Sequence, residues 1–130
     1  MLRYLSLDWI DALATEVAAH AEMGAAATDH RIGVTQVVSD GPEGTVVYHL
    51  QVGDGRARFG PGAAEPEDLR FEQDWDTAVG VATGALNAQE AFLAGRIRLF
   101  GEPTALMANQ PVFRALDAVF SSVRERTEYR

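Results

Sequence analysis

The side chains that most often carry catalysis or bind metals are few in this chain and form no recognised motif. Cysteine is absent, which removes thiolate nucleophiles, disulfides and cysteine-based metal sites. The three histidines, His20, His30 and His49, show none of the HxxxH, HxH or HExxH spacings of metal sites. We interpret them as unrelated surface or half-buried side chains, and only His49, beside Tyr48, is a candidate for a pocket. The pattern predicts no metal and no cofactor.

Serine and glycine also lack the spacings of catalytic or phosphate-binding motifs. No serine lies in a G-x-S-x-G elbow, so a serine hydrolase has little support. The stretches 53–55 and 60–62 lack the further glycine, or the Lys-Ser/Thr ending, of a phosphate loop, and turns explain both. Gly80 and Gly84 have the spacing of a membrane dimerisation motif, but in this context we interpret them as permitting close helix packing.

The distribution of charge argues against a cation site and against nucleic acid as a partner. Six carboxylates crowd one segment: Glu65, Glu67, Asp68, Glu72, Asp74 and Asp76. The segment lacks the D-x-[DN]-x-[DN]-G pattern of a calcium loop, so we interpret it as a solvated acidic face. The formal net charge of −8 leaves little positive surface for phosphates, and we expect no nucleic-acid partner. All 11 basic residues are arginine, a bias typical of GC-rich bacterial genomes.

Length and composition predict one domain over residues 1–130, with a hydrophobic fraction of 47% that suffices for a packed core. The apolar N-terminal stretch is interrupted by Asp8 and Asp11. It is therefore too short for a signal peptide or a membrane span, and we expect a cytoplasmic location.

The first part of the chain predicts one long helix followed by a β-meander. Apolar residues at helical spacing indicate a helix from about Trp9 to Ala26, capped by Asp8. Alternating apolar and polar side chains, separated by glycine-rich turns, then indicate four strands. These strands are Ile32–Ser39, Thr45–Val52, Arg56–Phe59 and Leu69–Gln73.

The second part predicts short helices, one strand and a terminal helix. Asp74 or Asp76 caps a helix that ends at Gly84, and Asn87 with Glu90 begins a helix over Ala88–Ala94. A fifth strand follows at Arg96–Phe100, then Pro103 in a first helical turn and Pro111 starting or kinking the last helix. A charged tail from about residue 124 is expected to be frayed. The fold class is α+β, with one curved, five-stranded, mainly antiparallel sheet covered by helices.

Residues 91–101, AFLAGRIRLFG, join a helix end, a glycine and a strand. This run resembles the signature AF-x-x-G-K-L-K-I-x-G-[DN] of the SCP-2 (sterol carrier protein 2) sterol-binding domain family. Arg96 and Arg98 stand at its two lysines, whereas Glu102-Pro103 replaces its Asp-Met or Asn-Met and Pro111 falls where the family helix continues. The order of predicted elements also matches the family, best from about Leu69 to Phe120.

The resemblance implies a lipid-binding fold with an apolar tunnel between the sheet and the C-terminal helices. Part of the apolar set in the matched region should then line a cavity rather than fill a core. Gln110 falls where the family often has a glutamine near the tunnel, which makes it the polar candidate for orienting a head group. The candidate ligand-binding residues are Trp75, Val79, Phe92, Leu93, Ile97, Leu99, Gln110, Phe113, Leu116 and Phe120.

The function expected from this resemblance is the binding and carriage of a sterol, fatty acyl or other apolar molecule, without chemistry on it. Transient contact with a membrane is compatible with that role, and the oligomeric state is left open. One alternative is an enzyme acting on an apolar substrate in the same cavity, with His49, Tyr48 or a buried carboxylate as acid or base. Another is an interaction module whose apolar helix docks on a partner enzyme.

Overall fold

The chain forms a mixed five-stranded sheet and six α-helices, in a computed structural model that describes residues 1–129. A short 3-10 helix, Arg124–Arg126, precedes the last strand. The elements in chain order are β1 (Leu2–Arg3), α1 (Leu7–Ala19), α2 (Ala21–Asp29), β2 (Ile32–Gly41), β3 (Gly44–Gly53), β4 (Arg56–Pro61), β5 (Leu69–Asp74), α3 (Trp75–Ala82), α4 (Ala88–Leu93), β6 (Arg98–Gly101), α5 (Pro103–Ala108), α6 (Gln110–Val123) and β7 (Thr127–Glu128).

The N-terminal helical region is two helices, not the single helix predicted from apolar spacing. Ser6, rather than Asp8, caps α1 by accepting a hydrogen bond from the Trp9 backbone N–H. The break lies at His20, whose backbone is extended and whose ring nitrogen accepts from the Met23 N–H. The His20 side chain thus satisfies an orphan donor at the start of α2, and this contact stabilises the break.

The sheet has the strand order β4-β3-β2-β5-β6. Three of its four pairings are antiparallel, and β2 pairs with β5 in parallel. The prediction of a mainly antiparallel five-stranded sheet is therefore confirmed. The predicted meander, in which each strand pairs with the next one in sequence, is confirmed for β2, β3 and β4. It is wrong for β5, which pairs with β2 on the side away from β3. A parallel pair needs a long connection, and here β3, β4 and the loop after them supply it.

The hairpin between β3 and β4 closes as its sequence predicts. The two connecting residues, Asp54 and Gly55, both have positive φ, at 53° and 74°. That is the backbone of the turns whose twist matches the twist of the flanking strands.

One face of the sheet is buried under the helices and forms the core. Val34 and Val38 on β2, Leu50 on β3 and Leu69 on β5 are each at most 2% exposed. They meet α1 and α6 through Leu13 and Val119, among others. The opposite face is more polar and half-exposed, carrying His49, Gln51 and Arg70. Alternation along the strands therefore assigns the inner face correctly.

The C-terminal half follows its capping signals, with shifted boundaries. Asp74 accepts from the Thr77 N–H at the start of α3, and Asn87 accepts from the Glu90 N–H at the start of α4. Pro103 and Pro111 each lie in a first helical turn, so the terminal helical region divides into α5 and α6. Strand β6 begins at Arg98, two residues after its predicted start.

The predicted frayed tail is wrong for the residues that the structure describes. Strand β7 pairs in parallel with β1, so that Leu2 lies beside Thr127. Thr127 is only 5% exposed, and its hydroxyl donates to the Val123 carbonyl at 2.7 Å. The charged residues 124–126 are exposed, away from this buried seam. Arg130 of the predicted tail lies outside the described residues.

No helix within residues 1–129 combines the length and the apolar composition needed to cross a membrane.

Candidate functional site

A cavity of about 660 Å³ lies between the inner face of the sheet and the C-terminal helices. Its lining is mainly apolar and, over residues 1–129, includes no carboxylate, imidazole or basic side chain. The cavity is open to solvent along part of its edge, so it is a half-open pocket and not a sealed void. The lining residues are Tyr4, Gln36, Tyr48, Phe71, Gln73, Ala78, Val81, Ala82, Ala88, Gln89, Phe92, Ile97, Leu106, Gln110 and Phe120.

The floor of the cavity is a row of side chains across the three central strands. Gln36 on β2 pairs with Tyr48 on β3 and with Phe71 on β5, so these three side chains share one level of the sheet. Gln73, two residues along β5 from Phe71, lies on the same face. The parallel pairing of β2 with β5 therefore builds the floor.

The walls are short helices with small side chains facing the space. Helix α3 contributes Ala78, Val81 and Ala82, and α4 contributes Ala88 at its start. Because these side chains are small, the helices lie over the sheet without filling the gap. Larger apolar groups close the rim, including Leu106 of α5.

Four of the ten predicted ligand-binding residues line this cavity: Phe92, Ile97, Gln110 and Phe120. Gln110 lies at the start of α6, where its amide donates to the Leu106 carbonyl at 3.2 Å. Phe92 is 43% exposed, so it belongs to the cavity and to the protein surface at once.

The structure places the other six predicted residues outside the lining. Leu116 is buried in the core, and Phe113 packs edge-on against Phe71 with ring centroids 6.2 Å apart. Trp75 packs on Tyr4 at 5.4 Å. Val79 is half-buried against the core, and Leu99 is half-buried on the edge strand β6. Leu93 is 77% exposed.

The glutamines of the floor are not among the predicted ligand-binding residues. Gln36 lies between Val34 and Val38 at an inward position of β2. Gln73 pairs with Val38 and so also lies at an inward position, on β5. Their signal in the sequence is an uncharged polar residue at an inward position of an otherwise apolar alternation. The lining alanines gave no signal, because small residues on a helix are compatible with close packing as well as with a hollow.

Two tyrosines bring hydroxyl groups to the cavity. Tyr4 and Tyr48 are 7% and 4% exposed, respectively. Burial raises the pKa of the Tyr48 phenol well above its ordinary value. The pKa of Tyr4 is also raised, mainly by burial and to a lesser extent by the nearby phenols of Tyr48 and Tyr129. Both phenols therefore stay neutral at physiological pH. The hydrogen bonds found among residues 1–129 include none to either hydroxyl.

The histidines lie away from the cavity lining. The ring of His49 faces the other side of the sheet from Tyr48, with Nδ1 3.1 Å from the Gly62 carbonyl oxygen. The ring of His30 lies 3.0 Å from the Ala26 carbonyl oxygen at the end of α2. The proposed catalytic use of His49 in the cavity is therefore wrong, since its ring is on the opposite face.

The acidic segment has structural partners. Glu67 and Glu72 pair with Arg70, and Glu72 also pairs with Arg98. Asp68 accepts from the Gly33 backbone N–H at 2.7 Å. Among residues 1–129 no cluster of three or more His, Cys, Asp or Glu side chains has the geometry to hold a metal ion.

The sequence matches no protein-family model and no curated protein. Solved structures do match its fold. A crystal structure of sterol carrier protein 2 superposes with a TM-score of 0.67 over 94% of this chain and 98% of its own, at 21% identity. A conserved hypothetical protein of Thermus thermophilus gives a TM-score of 0.62 over 92% and 91%, at 22% identity.

The same fold also occurs inside a larger enzyme. The inverting sec-alkylsulfatase Pisa1 of Pseudomonas sp. matches 77% of this chain with 15% of its own, at a TM-score of 0.53 and 19% identity. The expected fold is thereby confirmed: the chain has the α+β fold of sterol carrier protein 2.

Proposed function

We propose that this chain binds an apolar molecule in the cavity and carries or presents it, acting as one domain over residues 1–130. The observation that carries the proposal is the uncharged, mainly apolar lining of a space of about 660 Å³. Sites for small molecules typically measure about 300–1,000 Å³. An apolar ligand in this space gains dispersion contacts with the lining and removes apolar surface from water.

The expected affinity is moderate and the selectivity for hydrocarbon shape is weak. A ligand that hides about 400 Å² of apolar surface gains on the order of 10 kcal/mol. Lost translational freedom and chain ordering remove several kcal/mol of that gain. Micromolar dissociation constants follow, and a methylene more or less changes them little.

Exposed apolar side chains near the cavity suit ligand exchange at a membrane. Phe92 links the lining to the surface, and Leu93, at 77% exposed, is the next residue of α4. Met107, which follows the lining residue Leu106 on α5, is 72% exposed. Exposed large apolar groups of this kind favour contact with a lipid surface. We call Phe92, Leu93 and Met107 the exposed apolar set.

Presentation of the bound ligand to a partner enzyme is the second candidate function. It is supported by the same fold occurring as 15% of an alkylsulfatase chain. In that role the exposed apolar set would contact protein rather than lipid. The cytoplasmic location and the bacterial source stay predictions.

Identification of a co-purifying ligand tests the proposal directly. The protein is purified without detergent and measured by native mass spectrometry, and any added mass is extracted and identified. We expect a lipid or a similar apolar molecule. In parallel, Ile97→Trp should fill part of the cavity and weaken binding of a fluorescent apolar probe, whereas Gln51→Leu on the opposite face should not. An unligated wild-type protein that also fails to bind the probe would refute carriage.

A further inference from the structure

Three of the six polar residues that line the cavity, Gln36, Tyr48 and Gln73, lie together on its floor. The Gln73 amide Nε2 donates to the Gln36 Oε1 at 3.4 Å. This bond uses one N–H of Gln73 and the carbonyl oxygen of Gln36, so the Gln36 N–H groups and the Gln73 carbonyl oxygen stay free for a ligand. If both amides are flipped, the two glutamines exchange these roles. Tyr48 adds a phenol hydroxyl from the strand on the other side of Gln36. The floor therefore offers donors and acceptors within one patch.

This patch carries no charge and, within residues 1–129, has no charged neighbour in the lining. The phenols of Tyr4 and Tyr48 are neutral at physiological pH, and the other polar lining residues are glutamines. An ionised head group held against this patch would give up part of its water without gaining a counter-charge. The cost of such a transfer is far larger than the cost for a neutral hydroxyl or carbonyl that finds hydrogen bonds.

We propose that the cavity selects uncharged amphiphiles whose head group is a hydroxyl or carbonyl oxygen, held against Gln36, Gln73 and Tyr48. This inference rests on the proposed function and names the ligand class for the same site. A neutral oxygen accepts from the free amide N–H or the phenol, and a hydroxyl also donates to the free amide carbonyl. The hydrocarbon part of the ligand then lies along the alanines of α3 and the rim formed by Leu106 and Phe120.

The test compares ligands with the same chain and different head groups. Decanol, decanoate and decylammonium compete for the cavity with the uncharged probe N-phenyl-1-naphthylamine. We expect decanol to bind at least about tenfold more tightly than decanoate or decylammonium near neutral pH. Decylammonium is the key control because the net charge of −8 attracts it. Repulsion by the whole protein would weaken decanoate alone, whereas desolvation in the cavity weakens both ions.

A pH series adds a second readout. Lowering the pH from about 8 to about 5 protonates a growing share of decanoate, because carboxyl groups titrate near the lower end of this range. The apparent affinity for decanoate should rise toward that of decanol. The affinity for decanol should stay level, since neither it nor the floor residues titrate in this range.

Variants locate the selection on the floor. Gln36→Leu and Gln73→Leu should keep the probe bound and reduce the preference for decanol over decane, and Tyr48→Phe should do the same. Gln51→Leu, on the opposite face of β3, is the matched control and should leave that preference unchanged. Folding of each variant is checked by its circular dichroism and urea midpoint.

The outcomes separate the inference from the proposed function. Decanoate or decylammonium binding as tightly as decanol near neutral pH would overturn the head-group inference while leaving carriage intact. A preference for decanol that survives in all three floor variants would also overturn it. Failure of the probe and all three decyl compounds to bind would reject the proposed function itself.

Discussion

Trp9 of α1 stacks on Phe120 of α6, with ring centroids 5.9 Å apart and planes inclined by 27°. Phe120 lines the cavity, whereas Trp9 is buried behind it at 2% exposed. Phe59 of β4 packs edge-on against both rings. The wall of the cavity is thus anchored by an aromatic cluster that reaches to the far edge of the sheet.

Phe120→Ala should therefore affect both stability and binding. The variant removes the stack on Trp9 and the contact with Phe59, and we expect a loss of about 2–4 kcal/mol in the free energy of unfolding. The enlarged cavity should accept bulkier apolar probes relative to slim ones. Urea unfolding and competition between a slim and a bulky probe measure the two effects. Phe120→Leu, which keeps an apolar side chain, should show a smaller loss in both.

Asp74→Ala should destabilise the start of α3 by about 1 kcal/mol at neutral pH, because the cap is lost. Hydrogen bonds from Thr77 hold the pKa of Asp74 below its ordinary value. The folded state thus binds the proton more weakly than the unfolded state. The contribution of the Asp74 carboxylate to the free energy of unfolding is fully present above the ordinary carboxyl pKa. It is lost as the pH falls through the folded-state pKa.

Urea unfolding across the acid range checks this cap. Wild type should lose more stability on acidification than Asp74→Asn, which keeps a capping oxygen but does not titrate. An identical acid dependence in the two proteins would show that the Asp74 carboxylate contributes nothing to it.

Local signals predicted the parts of the fold that depend on a few neighbouring residues. The caps at Asp74 and Asn87 and the turn at Asp54-Gly55 are short-range arrangements, and the structure confirms them. The pairing of Gln36 with Phe71 joins residues far apart in sequence, and nothing in the strand pattern distinguishes a parallel partner from an antiparallel one. The crossover of β5 was missed for that reason.

The cavity was harder to predict than the core, because a hollow is defined by the side chains that do not fill it. Large apolar residues such as Leu116 were natural candidates, yet Leu116 is 5% exposed in a packed core. The space is lined by Ala78 and Ala82 of α3 and by Gln36 of β2. Small residues on a helix are compatible both with close packing and with a hollow beneath the helix. Only the three-dimensional packing therefore identifies the lining.

Tyr48→Phe should change the response of stability to alkaline pH. Burial raises the pKa of the Tyr48 phenol in the folded state, whereas the unfolded chain ionises near pH 10. The contribution of the neutral phenol to the free energy of unfolding is therefore fully present below about pH 10. Above that pH the free energy of unfolding falls by about 1.4 kcal/mol per pH unit for one fully buried phenol.

The alkaline measurement combines urea unfolding with absorbance of the tyrosinate band. Wild type should show a steeper loss of stability above about pH 10 than Tyr48→Phe. Tyr129→Phe is the comparison, because the Tyr129 phenol is only half-buried and burial raises its pKa by less than that of Tyr48. Equal slopes in wild type and Tyr48→Phe would mean that the phenol of Tyr48 ionises in the folded protein.

The pairing of Leu2 with Thr127 predicts that the C-terminal segment supports the cavity. Strand β7 places Tyr129 against Tyr4, with ring centroids 4.9 Å apart, and Tyr4 lines the cavity. Truncation after Val123 should therefore lower both the urea midpoint and the affinity for an apolar probe. Thr127→Val, which removes only the hydroxyl bond to Val123, should cost about 1 kcal/mol. Glu125→Ala, an exposed change in the same segment, should alter neither quantity, and unchanged probe binding after truncation would contradict the supporting role.

The exposed apolar set predicts a kinetic effect that equilibrium binding does not show. Leu93→Ser and Met107→Ser change side chains that are 77% and 72% exposed, so each should shift stability by less than about 0.5 kcal/mol. If these side chains contact the bilayer during exchange, transfer of a fluorescent lipid between vesicles should slow several-fold while the probe affinity in solution stays the same. Leu7→Ser is the matched control, because Leu7 is 69% exposed on α1 and does not line the cavity. Equal transfer rates in all three variants and wild type would exclude contact through this set. A slowing shared by Leu7→Ser would indicate a general loss of surface hydrophobicity instead.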